Sequence, residues 1–161
     1  MDMRRGRRRH AKLRNRHLTV EETRFLTVVH SEGCFIGPQA TLRGDNHGPI
    51  RLEAMSNVQD NCVVHACPGG TVVLHRCAQV GHGAVLHGCT LMENCLVGIH
   101  ATVLDGAVLG TASLPAAQAL VVSGVRTESG SLYACSPARF VRSLSRDAIA
   151  ALRESALRAV A

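Results

Sequence analysis

Aromatic residues are almost missing from this chain. It has no Trp, one Tyr and three Phe among 161 residues, although 46% of its residues are hydrophobic. A globular core ordinarily uses aromatic rings to fill volume, so their scarcity argues against a wide core. It favours a narrow interior packed by Val, Leu, Ile and Ala, as in solenoids built from short stacked repeats.

Long apolar runs are also lacking. No stretch approaches the roughly 20 apolar residues that a helix needs to cross a bilayer, and no signal-peptide core is recognised at the N-terminus. We therefore expect a cytoplasmic protein with no membrane partner.

Acidic residues are scarce only at the N-terminus. Of the 18 Lys and Arg, eight lie in residues 1–16, whereas only one of the 12 Asp and Glu lies there, which leaves a body of 10 basic and 11 acidic residues. A basic, acid-poor segment can bind nucleic acid or act as a targeting peptide. Because the body is near neutral, we expect residues 1–18 to be a disordered tail and expect no nucleic-acid partner.

A six-residue repeat replaces the usual helix and strand periods. One aliphatic residue recurs at each sixth position, and two steps of ten indicate four-residue insertions. Such a period is typical of a parallel β-helix, in which three strands form a triangular coil and coils stack about 4.8 Å apart. Pro115 stands where the next aliphatic is due, so the coil there should be distorted. The aliphatic positions are Ile36, Leu42, Leu52, Val58, Val64, Leu74, Val80, Leu86, Leu91, Val97, Val103, Leu109 and Val121.

The seven cysteines contain no CxxC spacing, so they do not resemble a redox or zinc motif. Four of them occupy the position two residues before a repeat aliphatic, where other repeats carry Ala, Ser or Val. We interpret these as small buried hydrophobic residues: Cys34, Cys62, Cys89 and Cys95.

After Val121 the repeat stops. Ser145 is a candidate N-cap for a helix that continues through Val160, with one apolar stripe that should lie on the wall of the β-helix. The predicted organisation is a tail over 1–18, a β-helix over 19–122 with regular repeats from about 34, a connecting loop over 123–144 and a helix over 145–161.

Three histidines in the central repeats have the spacing of a metal site. His65 and His87 each follow a repeat aliphatic by one position and are one full coil apart, so they should stack and point outward. His82 belongs to the neighbouring face and can join them only from another chain. The pattern predicts a homotrimer with interfacial sites of three His ligands and one open position, the arrangement of catalytic zinc.

Longer motifs resemble a known family. RGD at 43–45, SNVQDNCVVH at 56–65 and VGHGAVLHGC at 80–89 resemble the γ-class carbonic anhydrases, which are left-handed β-helix proteins. LVGIHATVLDGAVLG and CSPAR resemble the subgroup encoded with carnitine and phenylacetate catabolism. The resemblance covers roughly residues 33–145 and implies an all-β, left-handed parallel β-helix with a C-terminal α-helix.

The resemblance also implies roles for the matched residues. The three histidines would bind Zn²⁺, with Fe²⁺ or Co²⁺ as alternatives because imidazole and water suit several metals. Gln59 would orient the metal-bound water, and Asn57 lies in the same motif. Arg43, Asp45 and Asp60 would form polar pairs at the subunit boundary.

The implied activity is reversible hydration of CO2 to bicarbonate by a metal-bound hydroxide at the subunit interface. The loop after His65 reads ACPGG and lacks the acidic proton shuttle of the family's prototype, so we expect turnover to be slow or absent. Three alternatives stay open: a metal-dependent CoA-thioester hydrolase, a hexapeptide acyltransferase that uses acetyl-CoA without a metal, and an inactive structural homologue.

Overall fold

The described part of the chain forms a parallel β-helix of five triangular coils. The structure, a computed structural model, describes residues 28–44 and 48–161. Fifteen short strands make the coils: β1 (Val28–His30), β2 (Phe35–Ile36) and β3 (Thr41–Arg43); β4 (Ile50–Leu52), β5 (Asn57–Val58) and β6 (Val63–His65); β7 (Val72–Leu74), β8 (Gln79–Val80) and β9 (Val85–His87); β10 (Thr90–Leu91), β11 (Leu96–Val97) and β12 (Thr102–Val103); β13 (Val108–Leu109), β14 (Leu114–Pro115) and β15 (Leu120–Val121).

Each strand stacks on the strand three positions earlier in the chain, which produces three flat faces. The first face has the order β1-β4-β7-β10-β13, the second β2-β5-β8-β11 and the third β3-β6-β9-β12-β15. All the pairs within these faces that we describe are parallel. The first described strand, β1, begins at Val28, six residues before the regular repeats predicted from about 34, and the predicted tail over 1–18 lies outside the described residues.

The inward residue of each repeat fills the core. Val58, Val64, Leu74, Val80 and Leu86 are all 0% exposed, which confirms the six-residue register. Side chains of nearly constant size at each level leave no room for an aromatic ring, and this accounts for the composition of the chain.

Three of the four cysteines assigned to the interior are buried. Cys62, Cys89 and Cys95 are at most 1% exposed, whereas Cys34 is partly buried. Their thiols do more than fill space, because Sγ of Cys62 donates to the carbonyl of Gly81 at 3.1 Å and Sγ of Cys95 to that of Gly110 at 2.9 Å. Burial raises the pKa of Cys89 and of Cys95 to about 12.

Glycines that directly follow an inward aliphatic allow the coils to approach each other. A Cβ at Gly81 would lie 2.8 Å from the carbonyl oxygen of Val97 and 2.9 Å from the amide nitrogen of Ile99. At Gly110 it would lie 2.6 Å from the carbonyl oxygen of Thr127. The backbone of the next coil therefore occupies the space that any side chain would need.

Pro115 interrupts the ladder without leaving its inward position. Its carbonyl accepts the N–H of Gly98 at 2.8 Å, but a proline has no N–H to donate in return. The ladder between β11 and β14 is therefore incomplete, although the amides of Leu96 and Gly98 still donate to the carbonyls of Ser113 and Pro115, and β14 pairs on its other side with a later strand.

The prediction of a connecting loop over 123–144 was wrong in its second half. Strand β16 (Ser131–Ala134) pairs in parallel with β14, and β17 (Arg139–Ser143) returns antiparallel to β16. This hairpin caps the fifth coil, with Tyr133 and Phe140 in edge-to-face contact at 5.9 Å. It lacks the six-residue period, so the repeat pattern could not reveal it.

The C-terminal helix is confirmed. Helix α1 (Arg146–Ala159) begins after Ser145, whose side chain accepts the amide of Ala148. Leu152 and Ala156 are buried, and the buried side chain of Gln79 donates from Nε2 to the carbonyl of Leu152 at 2.8 Å. The helix thus lies on the second face of the β-helix. Within the described part of the chain, no helix has the length and apolarity needed to cross a membrane.

Candidate metal centre

His65 and His87 end neighbouring strands of the third face. They are Cα partners in the register of β6 and β9, because each follows its inward aliphatic by one position. Nδ1 of His65 lies 3.1 Å from Nε2 of His87, and the ring centroids are 5.1 Å apart. The predicted stack of two histidines one coil apart is therefore present.

The groups around this pair fix the direction of its hydrogen bonds. Nη2 of Arg43 lies 3.0 Å from Nε2 of His65. Since a guanidinium can only donate, that nitrogen accepts, and the proton of a neutral His65 resides on Nδ1. The Nδ1–H of His65 then donates to Nε2 of His87.

His87 is held on its other side by Asp105. Both carboxylate oxygens of Asp105 lie 2.8 Å from Nδ1 of His87. A carboxylate only accepts, so Nδ1 of His87 carries a proton and its Nε2 carries the lone pair that accepts the Nδ1–H of His65. Arg43, His65, His87 and Asp105 thus form one continuous chain of hydrogen bonds.

His82 lies elsewhere on the chain and has its own acidic partner. Its Nδ1 is 3.1 Å from Oδ2 of Asp60, and the His82 side chain is 52% exposed. Among the described residues, no set of three ligand atoms within 4.8 Å of one another includes His82. A single chain therefore presents His65 and His87 at one place and His82 at another.

Asn57 and Gln59 lie beside His82 and not beside the His65–His87 pair. Together with His82 they line a cavity of about 300 Å³ that Ser155 and Ala159 of α1 also border. Nε2 of Gln59 donates to Oδ1 of Asn57 at 2.9 Å. Nδ2 of Asn57 is buried and has no hydrogen-bond partner in the structure.

The His65–His87 pair has the spacing that a tetrahedral metal ion requires. Two nitrogens bound at 2.0–2.1 Å with a tetrahedral angle are about 3.3 Å apart, close to the 3.1 Å separation of Nδ1 and Nε2. A bound ion would take the place of the proton between the rings. The proton of a neutral His65 would then reside on Nε2, so this nitrogen would no longer accept from Arg43. The donor set fits zinc, with a third ligand still to be supplied.

The remaining predicted site residues have mixed outcomes. Within the chain Asp60 contacts His82, and its predicted pairing across the subunit boundary stays a prediction. Asp45 lies outside the described residues. Sequence reasoning missed Asp105 and Cys67, which with His87 form a set of ligand atoms within 4.8 Å of one another. The sequence did carry a signal for Asp105. Val103 is the register partner of Leu86 in the next coil, so Asp105, two residues after Val103, lies close to His87, one residue after Leu86.

Comparisons with known proteins place this architecture in a family. The chain belongs to the hexapeptide-repeat family, whose members form left-handed β-helices. A hexapeptide transferase family protein from Anaplasma phagocytophilum superimposes with a TM-score of 0.78 at 35% identity, covering 83% of this chain and 78% of that one. An acetyltransferase from Vibrio cholerae complexed with acetyl coenzyme A has a TM-score of 0.62 at 14% identity over 76% of this chain and 74% of that one, and shows the shared fold alone.

Among curated proteins, the chain is similar to the carnitine operon protein CaiE. That protein from Escherichia coli (strain SMS-3-5 / SECEC) is 43% identical over 121 residues, which are 74% of this chain and 61% of the relative. The counterpart from Salmonella agona is 41% identical over 118 residues, or 73% and 59% of the two chains. The chain thus spans about three fifths of the length of these relatives. No family model matches the chain.

Proposed function

We propose that this protein is a metal-dependent hydratase of the carbonic anhydrase type, acting on CO2 and bicarbonate at a site shared between chains of a homotrimer. The 3.1 Å separation of Nδ1 of His65 and Nε2 of His87 carries the proposal. An acyltransferase that uses histidine as a base has no need of two stacked imidazoles at ligand spacing. His82 of a neighbouring chain would supply the third ligand.

Each group of residues has a role in this proposal. His65, His87 and a neighbour's His82 would hold the ion, which when bound lowers the pKa of water toward about 7 and so supplies hydroxide at neutral pH. Gln59 cannot titrate, so its amide can orient a water or bicarbonate oxygen without competing for the proton. The buried, unpaired Nδ2 of Asn57 is a further donor on that side of the site, and its partnership with Gln59 fixes the orientation of both amides.

A second candidate is chemistry on a CoA thioester. The cavity of about 300 Å³ beside His82 is larger than CO2 or bicarbonate requires, and the structural relative at 35% identity is a hexapeptide transferase family protein. Thioester hydrolysis by the same centre would depend on metal, whereas acyl transfer would not.

The experiment that tests the proposal compares metal content and activity on one preparation. We expect about one Zn²⁺, Fe²⁺ or Co²⁺ per chain, as for a three-ligand site, and CO2 hydration in stopped-flow assays that a chelator abolishes and metal restores. His87→Ala should lose both metal and activity. The matched control is His75→Ala, because His75 pairs with Glu53 at 3.0 Å outside this site.

Three outcomes would overturn the proposal. Metal with no hydration but with chelator-sensitive cleavage of acetyl-CoA would favour the thioesterase. Acyl transfer that survives chelation would favour the transferase. Equal metal content in the parent and in His87→Ala would mean that the histidine pair is not the binding site.

A further inference from the structure

Asp105 lies within the matched stretch LVGIHATVLDGAVLG, but the resemblance gave it no role. It lies just after β12, half exposed, and directs both carboxylate oxygens to Nδ1 of His87 at 2.8 Å. We propose that Asp105 is a positioning residue, which fixes the tautomer and ring orientation of His87 so that Nε2 faces His65 as an acceptor. This inference rests on the proposed function for its consequence, which is tighter metal binding.

The argument begins with the two tautomers of neutral imidazole. If the proton of His87 were on Nε2, it would point at Nδ1 of His65, which already carries a proton because Arg43 donates to the other nitrogen of that ring. Two donors would then face each other. Asp105 stabilises the opposite tautomer, in which Nδ1 donates to the carboxylate and Nε2 keeps the lone pair that a metal ion needs.

The backbone holds Asp105 firmly in place. Its carbonyl accepts the amide of Gly124 at 2.9 Å, and the next residue, Gly106, donates to the carbonyl of Gly88 at 2.7 Å. Gly88 also leaves room for the carboxylate, since a Cβ there would overlap Oδ1 of Asp105. The carboxylate is thus attached to the next coil by a rigid corner, and its distance from His87 is set by the coil spacing.

The chain repeats the arrangement at its other candidate ligand. Nδ1 of His82 lies 3.1 Å from Asp60, so two of the three candidate ligands present Nδ1 to a carboxylate. Carboxylates at this position hold the ring and increase the basicity of the ligating nitrogen. His75 and Glu53 make the same type of contact elsewhere on the chain, with Nδ1 of His75 3.0 Å from Oε1 of Glu53. This pair provides an internal control.

Cys67 offers a competing role for Asp105. Its sulfur lies within 4.8 Å of ligand atoms of His87 and Asp105, so these three residues could themselves chelate an ion through Nδ1 of His87. The carboxylate would then be a ligand. We favour positioning because both oxygens stand at hydrogen-bond distance from Nδ1, and because Nε2 of His87 has a second histidine at ligand spacing.

The first test needs no metal. Histidine labelled with ¹⁵N in the metal-free protein should show the His87 tautomer protonated at Nδ1. In Asp105→Ala the population should shift toward the tautomer protonated at Nε2, whereas Glu53→Gln should leave His87 unchanged. The same tautomer in the parent and in Asp105→Ala would overturn the inference.

The second test measures Zn²⁺ affinity by competition with a chromophoric chelator. Loss of such a carboxylate typically weakens metal binding by about 10- to 100-fold, and we expect this for Asp105→Ala. Asp105→Asn should lose less, because its amide oxygen still accepts the Nδ1–H, and Glu53→Gln should bind like the parent. An affinity for Asp105→Ala within about twofold of the parent would contradict the inference.

A Co²⁺ spectrum separates the two roles of Asp105. A thiolate-to-cobalt charge-transfer band that disappears in Cys67→Ser would show that Cys67, His87 and Asp105 bind the ion, and would overturn the positioning role. If the parent protein binds no metal, the proposed function fails, while the tautomer comparison still decides the role of Asp105.

Discussion

At the scale of single residues, the core uses side chains that are small, apolar and able to bond the corner carbonyls. Cysteine meets all three requirements, since its sulfur packs like a methyl group and its S–H donates weakly. Cys62 and Cys95 do both, and neither has a disulfide partner. A cysteine at this position therefore has a structural role, and it destabilises the fold only at high pH, where the thiol ionises.

That cost gives a pH dependence of stability. Burial raises the pKa of Cys89 and of Cys95 from 9.0 to about 12, so the folded chain keeps protons that the unfolded chain releases. The stabilisation is fully present below about pH 9 and is lost as the pH rises toward 12. The free energy of unfolding, measured in urea, should fall by about 1.4 kcal/mol per pH unit for each thiol across this window.

The slope identifies the thiols responsible. Cys95→Ala should reduce the slope above pH 9 by the share of one thiol, whatever its effect on stability at pH 7. Cys67→Ser, at an exposed position, should leave the slope unchanged. A slope that Cys95→Ala does not alter would refute this explanation.

At the scale of elements, the C-terminal helix depends on one polar contact within an apolar seam. Gln79 is 3% exposed and donates to the carbonyl of Leu152 at 2.8 Å. A buried hydrogen bond of this kind contributes about 0.5–1.5 kcal/mol. In Gln79→Ala the amides of α1 should exchange with deuterium roughly 2- to 10-fold faster, while those of the central coils keep their parent rates.

The matched control lies on the same helix. Glu154 and Arg158 form an exposed ion pair with an N–O distance of 3.9 Å, and pairs of this kind contribute little. Glu154→Ala should leave exchange of α1 nearly unchanged. If the two variants behaved alike, the contact of Gln79 would not hold the helix.

The elements also show which parts of the fold follow from local pattern. The six-residue period predicts the inward positions because each strand repeats the same environment, and Ser145 marks the helix start because capping is local. The hairpin β16–β17 has no period, and its position depends on parallel pairing of β16 with β14, which forms only once the fifth coil is in place. The site divides in the same way: in-phase positions predict the stack of His65 and His87, whereas the contact with Asp105 requires the coils to be assembled.

At the scale of the whole molecule, the triangular cross-section of the β-helix determines which candidate ligands can meet within one chain. Positions one coil apart on the same face superimpose, so His65 and His87 meet. Positions on different faces diverge around the triangle, so His82 cannot join them within the chain. The half-site of His82, Asn57 and Gln59 and the half-site of His65 and His87 can become one site only between chains.

The most direct test of this account mixes two variants that should each be inactive. His82→Ala lacks one half-site, and the double variant His65→Ala, His87→Ala lacks the other. Each alone should form trimers without bound metal. Random co-assembly in equal amounts should restore about one quarter of the interfaces, and native mass spectrometry should find metal only in mixed trimers. Full metal in His82→Ala alone, or no metal in verified mixed trimers, would contradict a site shared between chains.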